Sequence, residues 1–368
     1  MPPEFNTDFD PRYGELVDVS PLLRRIVCNN PSHYTFHGTG TYVIGHRDVA
    51  VVDPGPRDPA HVEALIRALG NETVRAILIT HTHGDHSPAA AALHDATGAP
   101  VLGFGPHPED AVSEEDDADN DSDSDDGTES TTDSRPATDR RPTTDRRPTT
   151  DRRPTTDRRP TTDRRPAAGE DAEEGADSNR HDAHRPDVDF DPETRLAHGD
   201  TVDGPGWTVQ ALHTPGHISN HLCFALAEEG ALLTGDHVMG WSTTIIPPPD
   251  GDVSDYLRSL QLVLDRNDEV LYPTHGGPVP QPRRYVSALL DHRLQREAQI
   301  LEQLAVGPSS AREIVAVLYA DVRKELHRPA ARSVVAHLAK LHKEGLAAPT
   351  IDSASATSSD TVWSLAEG

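Results

Sequence analysis

The 368-residue chain carries 61 Asp and Glu against 34 Lys and Arg, a formal net charge of −27, with 35% hydrophobic and 4% aromatic residues. That length suits two domains of ~100–200 residues, and a hydrophobic share below the usual ~45–50% implies that part of it builds no core. Cys28 and Cys223 are the only cysteines, which excludes a disulfide framework or an all-cysteine metal site, and no apolar run or basic leader points to a membrane, so a cytoplasmic protein is expected.

The acidity is spread along most of the chain, and the only lysines are Lys324, Lys340 and Lys343. Such a lysine-poor, carboxylate-rich surface resembles that of halophilic proteins, where acidic groups keep the chain hydrated in concentrated salt. The expected consequence is a melting temperature that rises from dilute to molar KCl. There the Debye length shrinks to ~3 Å and self-repulsion is screened. A melting curve indifferent to salt would remove this reading.

In chain order, Val49–Val52 is a first apolar strand, ending in Asp53-Pro54-Gly55. Residues 74–80, VRAILIT, form a second, β-branched and buried. It stops at His81-Thr82-His83-Gly84-Asp85-His86, after which Ser87 and Pro88 are expected to cap and open an Ala-rich helix. Four ligand types within six residues at a strand-to-helix turn can converge on one point, and imidazole and carboxylate suit zinc.

From Val112 to Asp187 the composition changes: an acidic run is followed by TTDSRP, ATDRRP and four copies of TTDRRP. A proline every sixth residue and almost nothing apolar predict a disordered insert. Removing 112–187 is expected to leave folding and activity intact.

Three later strands repeat the earlier pattern. Trp207–Leu212 leads into His213-Thr214-Pro215-Gly216-His217, Ala231–Leu233 into Thr234-Gly235-Asp236, and Glu269–Tyr272 into Pro273-Thr274-His275-Gly276-Gly277. Beyond them, an amphipathic helix is predicted from Pro282 to Ala305, and Ser310 to Glu313 reads as a capping box for a helix through Tyr319. A third helix from Pro329 to Glu344 stops at Gly345, before strands at 346–351 and 361–365. Three helices followed by a hairpin is a winged-helix pattern.

These ligand-bearing segments, in this order, resemble the metallo-β-lactamase superfamily, and the module after them resembles the winged helix of its lactamase-β-like, endoribonuclease-like branch. The resemblance implies an α/β αββα sandwich over residues 1–284, interrupted by 112–187, and a winged-helix domain over 285–368. It places His81, His83 and His217 on one Zn²⁺ and Asp85, His86 and His275 on a second, with Asp236 bridging. Asp53 would brace the ligand loops, and Asp85 would orient a metal-bound hydroxide. His221, beside the motifs, is either a substrate contact or a packing histidine.

The implied activity is zinc-dependent hydrolysis, with single-stranded RNA as the most specific substrate. The alternative is a small ester or thioester, as in a glyoxalase II-like enzyme. A reading of another class is a metal-sensing DNA-binding regulator, with Arg332, Lys340 and Lys343 on a freely projecting third helix.

Overall fold

The computed structural model describes residues 3–108, 185–320, 324, 327–350 and 358–366. The insert predicted over 112–187 thus lies outside the described residues except for its last three positions.

Seven strands form the first sheet in sequence order: β1 Val17–Asp18, β2 Leu23–Val27, β3 Gly40–Ile44, β4 Asp48–Val52, β5 Thr73–Leu78, β6 Val101–Gly103 and β7 Thr194–Arg195. Helices α1 (Pro59–Leu69) and α2 (Ala90–Thr97) cover one face. The second sheet, β8 Thr201–Gly204, β9 Trp207–His213, β10 Leu222–Leu226, β11 Ala231–Gly235, β12 Val270–Pro273 and β13 Val279–Pro280, is covered by α3 (Val253–Leu264) and the first half of α4 (Pro282–Val306).

Strand alternation explains the four layers. On β3 and β4, Tyr42, Ile44, Ala50 and Val52 enter the core between the sheets, while Val43, Val49 and Val51 meet α1 and α2. On β10, Leu222, Phe224 and Leu226 face the first sheet and Cys223 and Ala225 face the helices. Both faces of each central strand are therefore apolar, and the architecture is the expected αββα sandwich.

Strand direction gathers the site. β4 and β5 pair in parallel, so the ends of Val52 and Leu78 lie side by side. β9 and β11 each run antiparallel to β10, and β11 pairs in parallel with β12. The four turns that bear candidate ligands and the Asp53 turn thus open at one edge of the sandwich.

The helix expected to be capped by Ser87 and opened by Pro88 begins two residues later, at Ala90 with Ala89 before it. Ser87 does not cap it; its Oγ donates to Asp187 Oδ2 at 2.7 Å, and residues 84–89 are turns.

Beyond α4 come β14 (Ser309–Ser310), α5 (Ala311–Leu318), α6 (His327–Lys343), β15 (Ala347–Pro349) and β16 (Val362–Leu365), with sheet order β14-β16-β15. Ser310 and Glu313 form the capping box in both directions. The winged helix is present, with a third strand, β14, beyond the expected hairpin. α4 serves both domains: Val286 and Leu289 pack on the second sheet's helix layer, while Ile300 and Leu304 join the winged-helix core. A boundary at 284/285 falls inside this helix.

α6 does not project freely. Ala336 joins the core between the second sheet and its helices, Lys343 Nζ donates to Asp252 Oδ2 at 2.6 Å, and Lys340 is 8% exposed between Glu297 and Glu344. A helix packed this way cannot enter a major groove with those lysines, so the structure does not support the DNA-reading arrangement. Among the described residues no helix is long and apolar enough to cross a membrane.

Candidate metal centre

Every residue expected at the centre arrives there. Three sets of ligand atoms lie within 4.8 Å of one another: His81, His83 and His217; His81, His86 and Asp236; and Asp85, His86 and His275. His83 Nδ1 lies 2.9 Å from His81 Nε2 and 3.0 Å from His217 Nε2. Asp236 sits between the groups: Oδ2 is 3.8 Å from His217 Nε2 and 3.6 Å from His86 Nε2, and Oδ1 is 3.4 Å from His275 Nε2.

The backbone makes this convergence through close approaches. Gly235, at φ +51°, turns β11 into Asp236, and a Cβ there would stand 2.7 Å from His221 Nε2. Gly216, at φ +136°, lets the His217 turn lie against α3, where a Cβ would be 2.3 Å from Tyr256 Cα.

Hydrogen bonds on the far side of the rings fix which nitrogen faces inward. Asp53, fully buried, accepts from Thr80 N at 2.8 Å, Thr80 Oγ1 at 2.7 Å, Thr274 Oγ1 at 3.1 Å and His86 Nδ1 at 2.9 Å. Because Thr80 Oγ1 donates to Asp53, it accepts from His81 Nδ1 at 3.0 Å. His217 Nδ1 donates to Ile245 O at 2.6 Å, and His275 Nδ1 to Gly38 O at 3.2 Å. Four imidazoles therefore turn Nε2 inward, the arrangement of metal-binding histidines held by outer partners. His86 Nε2 and Asp236 Oδ1 are buried without a hydrogen-bond partner. A divalent cation would satisfy both, so the donor set fits one.

The electrostatics agree. Burial disfavours charge on His275, yet Asp236 and Asp85 outweigh it and raise its pKa to about 10. His86 is raised too, against its burial, by Asp85, Asp236 and Asp53. Asp236 in turn is held well below the usual carboxylate range, despite burial, by His275 and His86. The two carboxylates thus recruit positive charge: protons when no cation is bound, a cation otherwise. Metal binding is expected to release protons from His86 and His275, with affinity rising as pH increases through neutrality. Calorimetry in buffers of different ionisation enthalpy measures this release, and a pH-independent affinity would contradict it.

His221, expected either to contact substrate or to pack, is fully buried. Its Nε2 accepts from Asp236 N at 3.2 Å, so its Nδ1 donates to Thr214 Oγ1 at 3.0 Å. It holds the Asp236 backbone and offers nothing to solvent.

Several contributors were not singled out from the sequence. Thr39 Oγ1 donates to Asp85 Oδ2 at 2.8 Å, and Asn220 Nδ2 donates to Thr82 Oγ1 at 2.9 Å. The signal was available: Thr80 and Thr274 each immediately precede a histidine ligand. The mouth beside His83 is lined by Tyr34, Ile218, Ile245, Pro247–Pro249 and Arg332 of α6.

The end of the expected insert also belongs here. Pro186 bridges to His83, Gly84 N donates to Arg185 O at 2.8 Å, and Asp187 N donates to Thr82 O at 2.7 Å. Removal of the whole range 112–187 would therefore disturb the ligand loop, contrary to the expectation from composition. A deletion ending at residue 182 is expected to retain hydrolysis, whereas Asp187→Ala should cost about 0.5–1.5 kcal/mol. Denaturant melts and turnover of the two variants check the difference.

The metallo-beta-lactamase superfamily profile matches residues 34–275, and that of the beta-lactamase-associated winged helix domain matches residues 310–353. The chain belongs to the metallo-beta-lactamase superfamily. It is similar to the lactamase-like protein ptaB of Pestalotiopsis fici, 23% identical over 87% of this chain and 79% of that one. It is also similar to an atrochrysone carboxyl ACP thioesterase of Passalora fulva, 27% identical over 84% of this chain and 71% of the relative. In fold it matches a metallo-beta-lactamase family protein of Thermus thermophilus, with TM-score 0.61 and 22% identity, covering 95% and 100% of the two chains. This superfamily member is a hydrolase whose His/Asp cluster is placed to hold divalent metal.

Proposed function

We propose that this superfamily hydrolase uses two Zn²⁺ ions to cleave small thioesters, giving a carboxylic acid and a thiol. Inward-turned imidazole nitrogens with carboxylate oxygens are a borderline-soft donor set suited to zinc. His81, His83 and His217 would hold one ion and Asp85, His86 and His275 the other, with Asp236 between them. When bound, two such ions polarise a carbonyl and lower the pKa of water toward ~7.

The chain's own groups do the remaining work. Asp85, braced by Thr39, orients the attacking water and holds its proton. Water oxygen bonds to the carbonyl carbon, the carbon–sulfur bond breaks, and the sulfur leaves to take up a proton. Asp53 acts directly on His86 and Thr274 and on His81 through Thr80, keeping these residues in register.

The observation that carries the substrate class is the mouth. Ile218, Ile245 and three successive prolines give it an apolar wall for an acyl group, with His107, Asp250 and Arg332 also in its lining. The thioesterase name carried by a relative supports the same class. Cleavage of single-stranded RNA is the second reading, favoured by Arg332. Against it stand the −27 charge and the pairing of Lys340 and Lys343 with carboxylates, which leave little to attract a polyanion.

Purified protein in concentrated KCl, assayed side by side against short acyl thioesters and single-stranded RNA, tests the choice. Release of thiol without RNA cleavage is the expected result. RNA cleavage with inert thioesters would overturn the substrate class, and activity surviving exhaustive chelation would overturn the metal reading.

A further inference from the structure

We infer that Arg293 is a positioning residue through which the winged-helix domain holds a ligand of each metal group in place. Arg293 lies on α4 and is 5% exposed. Its guanidinium spans two elements: Nη1 donates to Ser333 Oγ of α6 at 3.1 Å, and Nη2 donates to the carbonyl of Thr244. Its Cζ lies 5.4 Å from the centroid of the Tyr256 ring. Among the described residues no carboxylate pairs with it.

A buried guanidinium without a carboxylate is costly to desolvate, so its partners carry the explanation. The 244–245 segment is where the two ligands are tied. Thr244 Oγ1 lies 2.8 Å from Asp236 O and 3.0 Å from His237 O, and the next carbonyl, Ile245 O, accepts from His217 Nδ1 at 2.6 Å. Tyr256, under the guanidinium, donates its hydroxyl to His237 O at 2.9 Å. One arginine thus clamps the short segment that sets both the tautomer of His217 and the backbone of Asp236.

The same segment continues into Pro247–Pro249 at the mouth, and Ser333 adjoins Arg332. A fork-shaped donor is needed because two acceptors on different elements must be met at once. This assigns the winged helix a task in the reaction: it buttresses the metal-facing loop. The inference rests on the metal reading above and is independent of the substrate.

Two variants test it. Arg293→Met keeps the bulk and removes the fork; Thr244→Val keeps the carbonyl that Arg293 grips and removes the link to Asp236. Both should lower Zn²⁺ affinity, read by chelator competition, by about tenfold, the low end for outer partners of metal ligands. On any active substrate, kcat should fall while KM stays constant. Arg293→Lys, which can reach Thr244 O but not both acceptors, should recover part of the affinity. Should Arg293→Met fail to fold, Thr244→Val reads the same link alone. Wild-type affinity and kcat in a folded Arg293→Met protein, or in Thr244→Val, would overturn the inference. A wild-type protein that binds no divalent cation would instead overturn the metal reading itself.

Discussion

Asp236→Ala is expected to lose at least one bound cation and to suffer the largest fall in turnover of any single ligand change. Its two oxygens face His217 and His86 on one side and His275 on the other, at 3.4–3.8 Å. Removing it takes negative charge from between two cation positions and leaves His275 with Asp85 alone. The loss should exceed the ~10–100-fold typical when only an outer partner of a ligand is removed. His221→Ala is the internal control. Its Nδ1 bonds Thr214 and its Nε2 accepts only the Asp236 backbone N–H, while the Asp236 carbonyl stays tied to Thr244, so both cations should be retained at saturating Zn²⁺ while stability drops from the lost packing. Asp85→Asn should fall between them, since an amide binds zinc poorly and cannot hold a proton as a carboxylate does, so turnover falls further than metal content. Metal analysis and turnover on the three purified proteins check the order. Two cations and full activity in Asp236→Ala would remove the ligand assignment.

Asp53→Asn is expected to cost about 1–3 kcal/mol and to weaken metal binding, although Asp53 touches no proposed cation. Its carboxylate accepts from Thr80 N, Thr80 Oγ1, Thr274 Oγ1 and His86 Nδ1. An amide of nearly the same shape presents two N–H groups where only acceptors fit, so at least one donor must face another donor. The milder orientation keeps the amide oxygen at the Oδ2 position and sets the NH₂ against Thr80 N, a backbone donor that cannot turn away, so the strand end that leads into His81 must shift. Asp53→Ala avoids the donor conflict but leaves four buried donors with one acceptor group fewer, and should melt lower still. Chemical denaturation with and without added Zn²⁺ separates the two losses. A variant that keeps both stability and affinity would show that Asp53 braces nothing.

The candidate ligands were legible as such because each is written into the chain as a local event. A β-branched run ends, a turn begins, and His81 to His86 crowd four ligand types into six residues; His217, Asp236 and His275 repeat the pattern with less redundancy. The capping box at Ser310 and the stop at Gly345 are equally local, being set by hydrogen bonds within a few residues. The start of α2 was misplaced because Ser87 has two possible partners. The cap is visible in the sequence; Asp187, one hundred positions away, is not.

What the sequence by itself determined was therefore the fold class, the two-module order and the candidate His and Asp residues that the fold brings together, since strand periodicity and motif spacing are properties of neighbouring residues. The tertiary structure alone decided how those modules act on each other. Lys340 and Lys343 carry the same charge in the sequence whether they face a nucleic acid or a carboxylate, and only the packing of α6 turns them toward Glu297 and Asp252. Arg293 likewise reads as one more cation on an amphipathic helix, until the fold buries it between Ser333 and Thr244. Contacts of that kind join residues 40 to 91 positions apart, and side-chain type leaves them open because any buried charge takes whichever acceptors the packing brings within reach.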